Sequence, residues 1–237
     1  MSYLILIRHG QSVWNLEKKF TGWVDVDLTE NGKSEAKKAG QLIKQENIEI
    51  NLYYSSFQLR AKNTLKIIQE ELKDFKKVIS AWELNERHYG ALTGLNKIEM
   101  SNKIGEDKVH EVRRSWDIKP EPLSKKNPYH PVNIETYNNM AKEDLPDTES
   151  LKDTYERVTK YFGEEIEKKL EANNILISAH GNSIRALCKN LFNLDNNQIS
   201  SLEIPTGNPL IIELNKKLEI IKCEYLDKER AKSLVVF

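Results

Sequence analysis

The sequence predicts an α/β fold: a mostly parallel central sheet with helices packed against it. Three observations lead there. Leu4–Ile7 and Ile175–Ile177 are apolar at every position, the pattern of strands buried on both faces, as in a parallel sheet. Segments with apolar residues at helical spacing alternate with such runs along the chain. With 39% hydrophobic and 30% charged residues, a chain of 237 can build one large core and solvate its surface.

The elements follow in order. Leu4–Ile7 is the first strand, and it runs straight into Arg8, His9 and Gly10. After FTGWVDVDLTENG, the small residues Ala36, Ala39 and Gly40 recur with Ile43 on one helical face, able to lie close to a sheet. Leu52–Tyr54 is a second short strand. Ala61, Leu65, Ile68 and Leu72 mark one face of the next helix, whose first turn carries Arg60. KKVISAW holds a third strand, ending before ELNERHYGALTG. From Lys97 to Pro146 the periodicity fails and prolines prevent long regular elements. Residues 97–146 are read as an insertion, part helix and part extended loop, lying over a single domain that spans residues 1–237. Leu151, Tyr155, Val158, Phe162, Ile166 and Leu170 then mark a long amphipathic helix, with Thr148 as its expected cap. Ile175–Ile177 is the last strongly buried strand, and Ser183 is the expected cap of the helix after it. PLIIELNKKLEIIKCEYL reads as a hairpin turning near Asn215-Lys216-Lys217.

Charge and cysteine content narrow the partners. Lysine plus arginine equals aspartate plus glutamate, 36 each, so no global field draws the chain to nucleic acid or to an anionic membrane. No apolar run approaches the ~20 residues of a membrane span. Cys188 and Cys223 are far apart and form no CxxC motif. With no signal-like N-terminal segment, a cytoplasmic protein is expected.

Ligands of open α/β sheets collect beyond the carboxyl ends of the strands. His9, Arg60 and His180 each follow a predicted strand, and Glu86 and Tyr89 follow the third, so one pocket can receive them all. His9-Gly10 and His180-Gly181 superimpose, with Ser12 over Ser183. Arg8, Arg60 and Arg87, with Lys97, Arg113 and Arg114 from the insertion, would repel one another unless an anion sat between them. Guanidinium groups suit phosphate, although no GxxxxGK[ST] loop is present. A neutral imidazole in such a place can attack phosphorus and carry the phosphoryl group. Surrounding cations stabilise the equatorial oxygens during transfer, and Glu86 offers a carboxyl to move a proton on or off the substrate oxygen. On spacing alone, Glu86-Arg87 is equally a surface ion pair, and Arg113-Arg114 a solvated helical face. His88, His110 and His130 are read as structural, and the tryptophans as packing residues. No HExxH or comparable ligand spacing calls for a metal.

LILIRHGQSVWN resembles the signature of the histidine phosphatase superfamily, and SAHGNSIRAL resembles its second histidine motif. FTGWVDVDLTENG, ELNERHYGALTGLNK, RRSWD, LPDTESL and IPTGNPL are narrower. Together they resemble the 2,3-bisphosphoglycerate-dependent phosphoglycerate mutases of glycolysis and gluconeogenesis, from the first strand to about Leu226. The resemblance implies a three-layer phosphoglycerate mutase-like fold with a lid-like insertion over the active site. It implies interconversion of 3- and 2-phosphoglycerate through a phosphohistidine and a 2,3-bisphosphoglycerate intermediate, without metal. His9 would be the nucleophile, Glu86 the proton donor and acceptor, and His180 the stabiliser of the transferring group. Arg8, Arg60, Asn15, Gly181 and Asn182 would surround that group. Thr21, Gly22, Arg87, Tyr89, Lys97, Arg113 and Arg114 would hold the substrate's carboxylate and second phosphate. A homodimer is implied, with no nucleic-acid or membrane partner. SKKNPYHPVNIETYNNM matches the family loosely, and the ending DKERAKSLVVF lacks the Gly/Ala-rich, lysine-bearing tail of many relatives. Val235, Val236 and Phe237 are expected to pack on the body or on a neighbouring subunit. The rival readings are a phosphatase on the same fold and a catalytically silent phosphate-binding protein.

Overall fold

A computed structural model describes residues 1–231; Val235, Val236 and Phe237, and the packing expected of them, lie outside the described residues. In chain order come β1 (Ser2–Arg8), α1 (Val13–Leu16), α2 (Glu30–Gln45), β2 (Leu52–Ser55), α3 (Leu59–Leu72) and β3 (Val78–Ser80). Then follow α4 (Lys97–Ile104), α5 (Glu106–Arg114), α6 (Leu151–Tyr161), β4 (Ile175–Ala179), α7 (Gly181–Leu191) and α8 (Asn196–Ser201). The hairpin of β5 (Leu210–Leu214) and β6 (Ile220–Tyr225) precedes α9 (Lys228–Ala231).

The sheet order is β3-β2-β4-β1-β5-β6. The first four strands of that order are parallel, and β5 and β6 run antiparallel at one edge. Alternation along β1 explains its unbroken apolar run. Leu4 and Leu6 enter a core that includes Val158, Ile184 and Leu187 from α6 and α7. Ile5 and Ile7 enter the opposite core, with Ala39 and Ile43 of α2 and Leu65 and Ile68 of α3. The result is a three-layer sandwich, helices on both faces of the sheet.

Three local expectations are corrected. The cap of α6 is Ser150, not Thr148: the Ser150 hydroxyl accepts from the Asp153 N–H at 3.1 Å while the Asp153 carboxylate accepts from the Ser150 N–H at 2.7 Å. Thr148 instead donates its hydroxyl to the Pro120 carbonyl at 2.8 Å. The long helix is also segmented, α6 passing into a π-turn over Phe162–Ile166 and a 3₁₀ segment over Glu167–Glu171. Phe162, Ile166 and Leu170 stay buried throughout, so the break preserves the apolar face. Finally, α7 begins at Gly181 with His180 as its cap residue; Ser183 lies inside, accepting from the His180 N–H at 3.0 Å.

Gly10 and Gly32 serve a close backbone contact. A Cβ there would stand 2.2 Å from the Gly32 carbonyl oxygen, and one on Gly32 would stand 2.1 Å from the Gln11 oxygen. The glycines let the loop after β1 and the start of α2 touch backbone to backbone.

Residues 97–146 are part helix and part turns, as the loss of periodicity implies, and they are well anchored. Tyr137 is buried, donates its hydroxyl to the Trp23 carbonyl at 2.6 Å and packs its ring 4.9 Å from the Trp23 ring. His130 is buried with Nε2 2.8 Å from Asp147, and Leu123 is buried nearby, its N–H on the Asp147 carbonyl. Among the described residues no helix is long and apolar enough to cross a membrane.

Candidate active site

Parallel pairing of β1 with β4 brings the two histidines together. Arg8 lies opposite Ala179, and the His9 N–H donates to the Ala179 carbonyl at 3.0 Å, so the next residue of each strand is a histidine. Their ring centroids are 5.0 Å apart at an interplanar angle of 60°. The end of β2, also parallel to β4, delivers Ser56, whose hydroxyl lies 2.8 Å from His180 Nε2.

The His9 ring is oriented by its own loop. Nδ1 lies 2.7 Å from the Gly10 carbonyl, which can only accept, so that nitrogen carries the proton and Nε2 keeps its lone pair. Arg60 Nε lies 3.3 Å from that Nε2. The rest of the Arg60 guanidinium is committed to the carbonyls of Val24 and Gly22 and to Gln58 Oε1, which fixes it in place. Both imidazoles titrate well below the ordinary histidine value. Burial is the main cause for each, followed by the Arg60 cation, with Arg8 adding to it. Both are therefore neutral near pH 7, the form in which an imidazole is a nucleophile.

Beside His9 opens a cavity of about 110 Å³. Arg8, Asn15, Thr21, Gly22 and Arg60 line it from the β1 and β2 side. Glu86 and Tyr89 line it from the loop after β3, and Gly181 and Asn182 from the start of α7. Lys97, Arg113 and Arg114 close it from residues 97–146. Every predicted site residue except His180 and Arg87 is thus in the wall. His180 sits behind His9, fully buried. Arg87 faces away: its guanidinium donates to the carbonyls of Glu149, Arg113 and Ile118, so it braces the end of α5 and is neither a wall residue nor half of a surface ion pair with Glu86.

Glu86 is held through one oxygen. Oε1 accepts from the Arg87 N–H at 2.8 Å, the Asn182 N–H at 3.2 Å and Asn182 Nδ2 at 2.8 Å. Oε2 stands beside Gly181, where a Cβ would come 3.8 Å from it and 3.7 Å from the Arg8 guanidinium carbon. Burial and the neighbouring Arg113 and Arg8 cations lower the Lys97 ammonium to about 8.

Two wall residues carry no sequence expectation, Arg185 and Glu203. Arg185 donates to Asn182 Oδ1 at 3.0 Å and to the Leu202 carbonyl at 2.6 Å, and burial lowers it to about 10. Glu203 accepts from Arg114 Nη2 and lies 3.7 Å from Arg185 Nη2. One turn separates Arg185 from Asn182 within SAHGNSIRAL, a spacing that places both on one helix face. Glu203, a single acid before IPTG, gives no comparable signal.

The site suits a phosphorylated anion. Arg8 Nε, Thr21 Oγ1 and His180 Nδ1 are buried without a hydrogen-bond partner, an arrangement costly unless a ligand completes it. Six cationic side chains in the wall (Arg8, Arg60, Lys97, Arg113, Arg114 and Arg185) face two carboxylates, Glu86 and Glu203. Among the described residues no group of three or more His, Cys, Asp or Glu is placed to hold a metal ion.

Known proteins resemble this chain over nearly its whole length. The family model of the histidine phosphatase superfamily (branch 1) matches residues 4–127 and 124–223. A 2,3-bisphosphoglycerate-dependent phosphoglycerate mutase of Pelagibacter ubique is 66% identical over 238 residues, covering 100% of each chain. One from Hyphomonas neptunium is 48% identical, covering 99% of this chain and 98% of its own. Among solved structures, a putative alpha-ribazole-5'-P phosphatase of Escherichia coli superimposes with a TM-score of 0.69 at 17% identity, covering 95% of both chains. YhfR of Bacillus stearothermophilus gives 0.69 at 21%, covering 93% of this chain and 94% of its own. At such identities these two establish the fold alone.

Proposed function

The chain belongs to the histidine phosphatase superfamily, and from that premise we propose that it is a 2,3-bisphosphoglycerate-dependent mutase interconverting 3- and 2-phosphoglycerate. The observation that carries the reading is the pair of neutral imidazoles 5.0 Å apart beside a cavity rich in guanidinium groups.

His9 Nε2 attacks phosphorus while the proton stays on Nδ1, donated to the Gly10 carbonyl. The N–P bond forms as the P–O bond to the glycerate breaks, and Glu86 gives a proton to the departing oxygen. Arg8 and Arg60 hold the equatorial oxygens as charge shifts toward the transition state, and His180 and Asn182 complete the hydrogen bonding around them. Bound 2,3-bisphosphoglycerate supplies the phosphoryl group that primes His9. The return transfer runs the same steps in reverse, with Glu86 taking the proton from the other hydroxyl. Lys97, Arg113, Arg114 and Tyr89 hold the carboxylate and the non-reacting phosphate, and Thr21 and Gly22 shape the floor.

Residues 97–146 act as a lid in this account. Water reaching the phosphorylated imidazole would hydrolyse it, converting a mutase into a phosphatase. Closing three cationic side chains over the substrate keeps water out while the intermediate turns. Arg87 serves this lid indirectly, through its bond to the Arg113 carbonyl.

The test is purified protein supplied with 3-phosphoglycerate, with and without 2,3-bisphosphoglycerate. The reading expects 2-phosphoglycerate to accumulate, faster with the bisphosphate. Release of inorganic phosphate without 2-phosphoglycerate would instead make the enzyme a phosphatase.

A further inference from the structure

We propose that Arg157 and Glu149 are positioning residues for the proton-transferring carboxylate of Glu86. The proposal rests on the reading of Glu86 given above. Glu86 sits in an irregular loop after the 3₁₀ turn Trp82–Leu84, where no ladder fixes the backbone. Arg157, from α6 on the face opposite α2 and α3, does so with three of its five N–H groups. Nη1 donates to the carbonyls of Glu83 at 2.5 Å and Asn85 at 3.0 Å, and Nη2 to that of Glu86 at 3.1 Å. The remaining two donors go to Glu149, Nε to Oε1 at 2.7 Å and Nη2 to Oε2 at 3.0 Å. An arginine has five N–H donors, and all are used.

Glu149 grips the other side of Glu86. Its Oε2 also accepts from the His88 N–H at 2.7 Å. Its own N–H donates to the His88 carbonyl at 3.1 Å, and its carbonyl accepts from Arg87 Nε at 2.8 Å. The pair therefore clamps the backbone on both sides of one residue. Both side chains are about nine-tenths buried. Burying an ion pair is an inefficient way to gain stability, since desolvation offsets most of the attraction. A fixed backbone is what the arrangement provides. Three donors converge on Glu86 Oε1 and leave Oε2 toward the pocket, so a displacement of a few tenths of an ångström at the Glu86 backbone misdirects the carboxyl.

The discriminating experiment compares two phosphoryl donors in single-turnover phosphorylation of His9. The monophosphoglycerate released from 2,3-bisphosphoglycerate departs as an alkoxide and needs the proton; the p-nitrophenolate released from p-nitrophenyl phosphate is stable and does not. The proposal expects Arg157→Lys and Glu149→Gln to slow transfer from the bisphosphate by about 10²-fold, the scale of general-acid catalysis. Transfer from the aryl ester should change by less than about 3-fold, as it should for Glu86→Gln. Thermal melting of each variant verifies folding, and Arg157→Lys retains the charge that Glu149 needs. If Glu86→Gln discriminates between the donors but Arg157→Lys and Glu149→Gln slow both alike, or neither, the proposal is overturned. If Glu86→Gln itself slows both alike, the proton-transfer role of Glu86 falls, and the positioning role falls with it.

Discussion

Glu203→Gln should tighten substrate binding, an unusual outcome for a change in the wall of an active site. Glu203 places a carboxylate among groups that must receive a polyanion, and its partner is Arg114, a cation the substrate needs. Two charges ~4 Å apart attract by about 4 kcal/mol at an effective dielectric constant of 20. Glu203 is 55% exposed, whereas Arg114 is only 12% exposed, so water and salt reduce the pair to roughly 0.2–1 kcal/mol. That interaction opposes the turn of Arg114 toward the substrate, and the bare carboxylate repels the substrate as well. Neutralising it should lower KM about 2- to 5-fold with kcat unchanged. Helix α5 stays tethered in the variant, because the Ser200 hydroxyl donates to the Arg114 carbonyl at 2.8 Å and Arg114 Nη1 donates to the Leu202 carbonyl at 3.4 Å. Steady-state kinetics at low ionic strength is the assay. A raised KM would mean that Glu203 orders the site rather than competing for it, and the reasoning would fail.

Other perturbations follow from the same geometry. With Lys97 held near 8, its positive charge is present below that pH and lost as pH rises through it, so kcat/KM should fall above about pH 8. Substituting Lys97→Arg should carry that limb beyond pH 10, and an unmoved limb would assign it to another group. Replacing both Arg113→Ala and Arg114→Ala should raise KM and increase release of the bisphosphate; unaltered kinetics would take both arginines out of substrate binding. Gly10→Ala forces a Cβ to within 2.2 Å of the Gly32 oxygen and should cost about 1–3 kcal/mol, read as a lower denaturant midpoint. An unchanged midpoint would show that the loop yields freely.

Much of this site was legible because the fold delivers it through strands. The apolar runs at Leu4–Ile7 and Ile175–Ile177 are buried on both faces, and a strand so placed must release its next residue at the sheet's edge. His9 and His180 follow from that constraint. Arg60 follows from a helix starting just beyond β2. What escaped depends on tertiary placement. Glu203, Ser56 and Glu149 become functional candidates only when separate loops meet. Arg157 looks like any exposed position of an amphipathic helix until its guanidinium is seen to reach three carbonyls. Arg87 stands between a wall residue, Glu86, and a loop residue, His88; position along the chain does not reveal that its side chain points the other way. The capping error had a local remedy, since Ser150 and Asp153 carry the spacing of a capping box, while Thr148 offers only a hydroxyl.

The central claim is that a phosphoryl group resides covalently on His9 between two transfers. The most direct measurement incubates the protein with labelled 2,3-bisphosphoglycerate, quenches in alkali to preserve N–P bonds, and maps the label by peptide. The account predicts one acid-labile phosphate on the peptide containing His9, abolished by His9→Ala. Label on a different residue, or turnover by His9→Ala at the wild-type rate, would contradict it.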